Sequence, residues 1–157
     1  MGAQSFDLVT DWRVEAPVER VWAILQAPED WPRWWPMVKS VTLLRPGDAQ
    51  GLGAVRRLHW ATALPYSLAF DVETVRVEPM TLIEGRASGE LDGVGVWSLT
   101  PDGRGTRVRY DWRVAVTKPW MRALAPLLRP MFAWNHGVVM ASGLKGLKAR
   151  LAEEKLA

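Results

Sequence analysis

Residues 106–117 read TRVRYDWRVAVT, and residues 130–154 read PMFAWNHGVVMASGLKGLKARLAEE. In the first stretch Val108, Tyr110, Trp112, Val114 and Val116 fall on one side of an extended chain. Arg107, Arg109, Asp111 and Arg113 fall on the other. This strand has one wet face, as in an antiparallel sheet that packs on a core from one side. Past Pro119 the hydrophobic period changes from two to 3.6. Pro126 and Pro130 predict breaks, so a short helical piece is expected near 120–128. The main helix then runs from about Pro130 to Glu154. At about 1.5 Å per residue it is about 37 Å long, enough to cross a whole sheet.

Working back from the last strand, turn residues and period-two alternation divide the chain into hairpins. Val94 to Thr100 reads as a strand between the turns Leu91-Asp92-Gly93 and Pro101-Asp102-Gly103. Thr81 to Glu90, Tyr66 to Glu78, Gly53 to Trp60 and Val38 to Leu44 read as four more. In the long strand Leu68, Phe70 and Val72 share a face, but Val75 and Val77 take over near Thr74, which predicts a bulge. Upstream, Trp31, Trp34 and Trp35 stand at i, i+3 and i+4 among Pro28, Pro32 and Pro36, so only one or two helical turns fit there. Val18, Val21, Trp22 and Leu25 predict a short amphipathic helix over 17–26. Phe6, Leu8, Thr10, Trp12 and Val14 predict a first strand.

The fold class that follows is α+β. A seven-stranded bent antiparallel sheet wraps around the long C-terminal helix, with two short helices after the first strand, which is a helix-grip fold. The helix lies across the concave face because nothing else is available to bury it.

The chain has 157 residues, 48% of them hydrophobic and 24% charged, which suits one domain spanning 1–157. Without cysteine, disulfides, thiolate metal sites and cysteine nucleophiles are excluded. Two histidines, His59 and His136, argue against a multi-histidine metal site, and no cofactor is expected. The net charge of +3 is scattered rather than blocked, so no nucleic-acid partner is expected. The start of the chain reads as no signal peptide, and no apolar run reaches a membrane-spanning length, so a cytoplasmic protein is expected. Ten tryptophans against two tyrosines and three phenylalanines suggest a broad aromatic surface around a cavity.

Four segments carry a resemblance. They are Ala16-Pro17-Val18-Glu19-Arg20-Val21-Trp22, then Trp34-Trp35-Pro36, then Trp97 to Pro101 running on to Gly105-Thr106-Arg107-Val108, and finally Asn135 to Met140 leading to Gly143 and Gly146-Leu147. In that order they resemble the START/Bet v 1-like superfamily (SRPBCC), in its polyketide cyclase/dehydrase and lipid-transport branch, over roughly residues 6–153. The resemblance implies a cavity for a hydrophobic ligand such as a lipid, polyketide or isoprenoid. Some members of such a superfamily are enzymes and others are carriers or sensors.

Candidate ligand-binding residues follow from chemistry and position. Trp34 and Trp35 either form the lip of a pocket or staple the short helices to the sheet. Phe70, Trp97, Tyr110 and Trp112 are strand aromatics that either line the cavity or fill the core, and a buried Tyr110 hydroxyl would need a partner. Phe132, Asn135 and Val139 lie near the inward stripe of the long helix, where Asn135 would hold a ligand, cap the backbone or bind water. Arg57 and His59 share a face with Val55 and would be a polar handle for an acidic ligand end if that face is concave. Glu84, Arg86 and Ser88 pose the same question opposite Ile83, Gly85, Ala87 and Gly89. His136, His59 and Glu84 are the only acid/base candidates beside Tyr110, and they form no recognisable catalytic set. Gly137, Gly143 and Gly146 each cost the long helix about 1 kcal/mol and imply close packing or cavity space. A hydrophobic small-molecule carrier or sensor is therefore expected, with a cyclase or dehydratase as the alternative. Transient membrane-surface contact through the tryptophan cluster at 31–35 is a third possibility.

Overall fold

The alternation that marks residues 106–117 as a one-sided strand sets the whole architecture. The computed structural model of the chain describes residues 5–63, 67–117 and 119–156. Its elements are β1 (Ser5–Val14), α1 (Val18–Leu25), a single 3-10 turn (Pro28–Asp30), α2 (Trp31–Trp34), β2 (Val38–Arg45), β3 (Val55–Ala61), β4 (Ser67–Glu78), β5 (Leu82–Gly89), β6 (Leu91–Asp102), β7 (Gly105–Val116) and α3 (Pro119–Leu156). The seven strands form one antiparallel sheet in the order β1-β7-β6-β5-β4-β3-β2. Each hairpin from β2 to β7 pairs with its neighbour, and β1 closes on β7 with Trp12 opposite Val108 and Leu8 opposite Trp112. This is the helix-grip fold.

Strand faces follow the hydrophobic alternation. Phe6, Trp12 and Val14 of β1 and Val108, Trp112, Val114 and Val116 of β7 are buried on the concave side. Arg107, Arg109 and Arg113 lie on the wet side, where Arg109 bonds Asp111 and Arg113 bonds Asp7. The β4–β5 register shifts between Thr74 and Arg76, at the bulge the alternation predicts. Tyr66, the expected start of this strand, lies outside the described residues.

Two local expectations are corrected. Leu91-Asp92-Gly93 is not a turn. These residues begin β6, opposite Val116, Ala115 and Val114, and the reversal sits one step earlier at Gly89-Glu90. Pairing with β7 on the other side holds the segment extended despite its turn-like composition. The long helix is also unbroken. It runs through Pro126 and Pro130 as one element of 38 residues. Both prolines lie on the exposed side, four residues apart. A proline there takes nothing from the sheet contact on the other side, and its missing N–H costs less where solvent reaches the backbone. Met121 and Ala125, on the opposite side, are buried against the sheet and hold this stretch in place.

The junction between α2 and α3 explains two of the helix glycines. The Trp35 indole N–H donates to the Val139 carbonyl at 3.0 Å, and its ring lies over Gly143. One turn on, Gly146 packs against the Trp34 backbone carbonyl with no room for a side chain. Gly137, by contrast, faces open space. At the start of α1, the Thr106 hydroxyl donates to the Ala16 carbonyl at 2.7 Å, tying the Ala16-Pro17 corner to β7.

Candidate ligand cavity

Over the concave face of the sheet the side chains leave two adjoining compartments, an outer one closed by the α1–α2 segment and the β2–β3 loop and an inner one closed by α3. The outer one has a volume of about 350 Å³, the inner one about 120 Å³. Trp60, Phe70, Tyr110 and Trp112 border both, so an aromatic partition stands between them.

The floor of the outer compartment is built on glycine. Gly85 of β5 pairs with Gly95 of β6, and Gly95 pairs with Trp112 of β7. A Cβ on Gly95 would lie 2.6 Å from the Tyr110 hydroxyl and 2.8 Å from the Trp112 ring. Only the missing side chain lets these rings lie flat on the sheet. Trp97 and Tyr110, directly opposite across β6 and β7, stack at 4.2 Å, and Tyr110 stacks on Trp112 at 5.7 Å. The result is a continuous aromatic platform, a good surface for a flat or extended apolar molecule. Trp35 meets Trp12, Trp31, Trp34, Trp60 and Trp97 at 4.9–6.2 Å and closes the wall behind it.

The mouth lies between residues 46–51, which join β2 to β3, and Gln26 and Pro28, which follow α1. Arg56 faces inward there and makes an ion pair with Glu29. Among the described residues it is the one basic side chain on the outer compartment's wall.

Tyr110, Asn135 and His136 are polar groups that line the interior. Tyr110 is enclosed by protein but keeps surface toward the cavity. No described residue accepts from or donates to its hydroxyl. Burial pushes its pKa well above the ordinary tyrosine value, so it stays protonated and acts as a donor. In the inner compartment Asn135 is buried, and its Oδ1 accepts the Ala63 backbone N–H at 2.7 Å. His136 lies beside it, with Nε2 3.3 Å from the Thr10 hydroxyl. Burial lowers the His136 pKa to about 4, which keeps the imidazole neutral.

The expected site residues divide accordingly. Phe70, Trp97, Tyr110, Trp112 and Trp35 line the outer compartment, and Phe132, Asn135, His136 and Val139 line the inner one. Trp34 is buried at the α2–α3 junction and borders neither compartment, so of the adjacent pair only Trp35 serves the cavity. Trp31 and Trp35 are also buried, so they form a wall rather than an exposed rim. Arg57 and His59 are corrected. They lie on the convex face, where Arg57 bonds Asp71 at 2.8 Å and His59 meets Ser67 at 3.1 Å. The inward set on β3 is Arg56, Leu58 and Trp60. Glu84 likewise lies on the convex face, because Ile83 and Gly85 are the residues of β5 that face the cavity. Among the described residues no cluster of histidine or carboxylate groups has metal-binding geometry.

A family model for polyketide cyclase/dehydrase and lipid transport proteins matches residues 5–152. The chain belongs to this polyketide cyclase/dehydrase and lipid transport family. Solved structures share its fold. TTHA0849 from Thermus thermophilus superposes with a TM-score of 0.80 at 22% identity, covering 95% of this chain and 99% of that one. A START superfamily protein from Mycobacterium smegmatis gives 0.76 at 20% identity, covering 96% and 99%. The Zhui aromatase/cyclase from Streptomyces sp. R1128 gives 0.77 at 19% identity, covering 98% and 96%. At these identities the likeness is one of fold. No curated protein sequence matches the chain. The polyketide cyclase/dehydrase and lipid transport fold thus has, in this chain, a cavity whose wall is largely aromatic and carries the Tyr110 hydroxyl.

Proposed function

We propose that residues 1–157 form a single ligand-binding domain that carries or senses a hydrophobic small molecule of lipid, polyketide or isoprenoid type. The observation that carries this is the platform of Trp97, Tyr110 and Trp112, with the Tyr110 hydroxyl as an unpartnered donor at its centre. An apolar guest gains by leaving water, and a carbonyl or hydroxyl on it can accept the Tyr110 hydrogen bond.

A cyclase or dehydratase reading rests on His136, the single histidine that faces the interior. Its partner is a hydroxyl rather than a carboxylate, and with a pKa of about 4 it is a weak base. Binding is therefore favoured over catalysis. The Zhui structure is that of an aromatase/cyclase, which makes polyketide-like molecules sensible first candidates as guests.

Native mass spectrometry of the purified protein, with extraction and identification of the guest, is the direct test. An apolar molecule of a few hundred daltons held in the folded protein is expected. Protein that excludes every environment-sensitive lipid or polyphenol probe would refute the reading. His136→Ala should leave probe affinity within a few-fold, whereas loss of a measured turnover in that variant would establish the enzyme instead.

A further inference from the structure

The outer side of the first half of α3 is apolar where a surface helix is ordinarily polar. Trp120, Leu124, Leu127, Met131 and Trp134 are all exposed, with Leu127 at 79% and Trp134 at 57%. Their spacing of four, three, four and three residues puts them in one line, about 21 Å long at about 1.5 Å per residue. On the opposite side of the same stretch, Met121 and Phe132 face the inner compartment.

The charge on this helix says what kind of surface covers the stripe. Over Pro119–Leu156 the helix contains six basic side chains and two acidic ones, Glu153 and Glu154, both in its last turn. The rest of the chain holds the other fourteen basic residues and fifteen acidic ones, so the net positive charge of the chain sits on this helix. Lys145 and Lys148 are exposed and continue the line of the stripe, about three and four turns beyond Trp134. A second copy of the chain docking by the same face would bring one basic helix onto another, which like-charge repulsion opposes. An anionic lipid surface complements both features. Tryptophans at each end of the stripe suit the boundary between headgroups and acyl chains, and lysines suit anionic headgroups.

We propose that the Trp120–Trp134 face of α3 docks this protein on an anionic lipid bilayer. The helix lies in the interface and does not cross it, since no described helix is long and apolar enough to span a membrane. Docking rests on exposed side chains and stands whether or not the cavity holds a guest. If it does, the same stretch of helix brings the inner compartment against the bilayer.

Co-sedimentation of the full chain with phosphatidylcholine vesicles, with and without phosphatidylglycerol, tests this. The parent is expected to pellet with the anionic vesicles and to be released by salt. Leu127→Glu with Trp134→Glu should weaken partitioning about tenfold or more, since two apolar side chains no longer enter the bilayer. Lys145→Glu with Lys148→Glu should reduce the preference for phosphatidylglycerol. Both pairs are exposed, so unfolding temperatures should hold, and Leu127→Ser alone replaces the first pair if that variant unfolds. A parent that stays in solution, a double variant that pellets as well as the parent, or equal pelleting on neutral vesicles would each overturn the proposal. So would a concentration-dependent dimer in sedimentation velocity that the Leu127 and Trp134 changes abolish, because the face would then belong to a second copy.

Discussion

Replacing each of the three interior glycines of α3 by alanine should give three different outcomes. Helix propensity alone favours alanine by about 1 kcal/mol at every one of them. At Gly137 nothing lies within 4 Å of the added methyl, so the full gain should appear, raising the unfolding temperature by about 2–4 °C for a chain of this size. At Gly143 the methyl would meet the Trp35 ring at 2.5 Å. Trp35 is fully buried, bonded to the Val139 carbonyl and surrounded by five other tryptophans, so it has little room to yield. An overpacking cost of about 1–3 kcal/mol should cancel or exceed the propensity gain. At Gly146 the obstacle is the Trp34 backbone carbonyl, which no rotamer change can move. The helix itself must lift away from α2, opening the contact around Leu147, which is fully buried. The net loss should be about 2 kcal/mol or more, or about 4–8 °C. Urea unfolding followed by far-ultraviolet circular dichroism measures all three on one scale. The order Gly137→Ala above parent, Gly143→Ala at or below it, Gly146→Ala lowest is the expected result. A Gly146→Ala protein as stable as the parent would refute the claim that α2 and α3 meet there without a gap.

Acidification should destabilise the protein through His136. Its folded pKa of about 4 lies below the unfolded value of about 6.5, so the unfolded chain binds more protons between them, and stability is full above about pH 6.5 and lost as pH falls to about 4. The contribution is at most about 3 kcal/mol. It should be read as the difference between parent and His136→Gln in urea midpoints across that range, and parallel curves would show that the imidazole is not held neutral. Tyr110→Phe should leave stability within about 0.5 kcal/mol, because the hydroxyl has no partner among the described residues, while weakening an acceptor-bearing probe by about tenfold. A clear loss of stability in calorimetry would mean the hydroxyl is already bonded within the protein. Arg57→Ala and His59→Ala should leave probe affinity within about twofold, since both side chains sit on the convex face in exposed contacts. Arg56→Ala, at the mouth, should change the association rate of an anionic probe in stopped-flow fluorescence, and identical rates would remove Arg56 from the entry path.

Local pattern was enough to reveal the order of elements, the seven strands and the one-sided character of the last strand. Alternation and helical period arise from backbone geometry, and residues 106–117 display them without help from neighbours. The bulge near Thr74 was legible for the same reason. The strand β3 shows where local pattern stops. Val55, Arg57 and His59 on one side and Arg56, Leu58 and Trp60 on the other each mix apolar and basic residues, and alternation separates two faces without saying which is concave. The curvature of the sheet and what packs on its concave face decide that, which is why the inward basic residue is Arg56 rather than Arg57. The same holds for Pro126 and Pro130. Local rules break the helix, but packing of Met121 and Ala125 on one side and water on the other keep it whole. It holds finally for the tryptophans. Composition alone called for an aromatic cavity, yet only the packed fold buries Trp31, Trp34 and Trp35 and leaves Trp120 and Trp134 in solvent. Burial depends on what each element meets across the core, and that partner is far away in the chain.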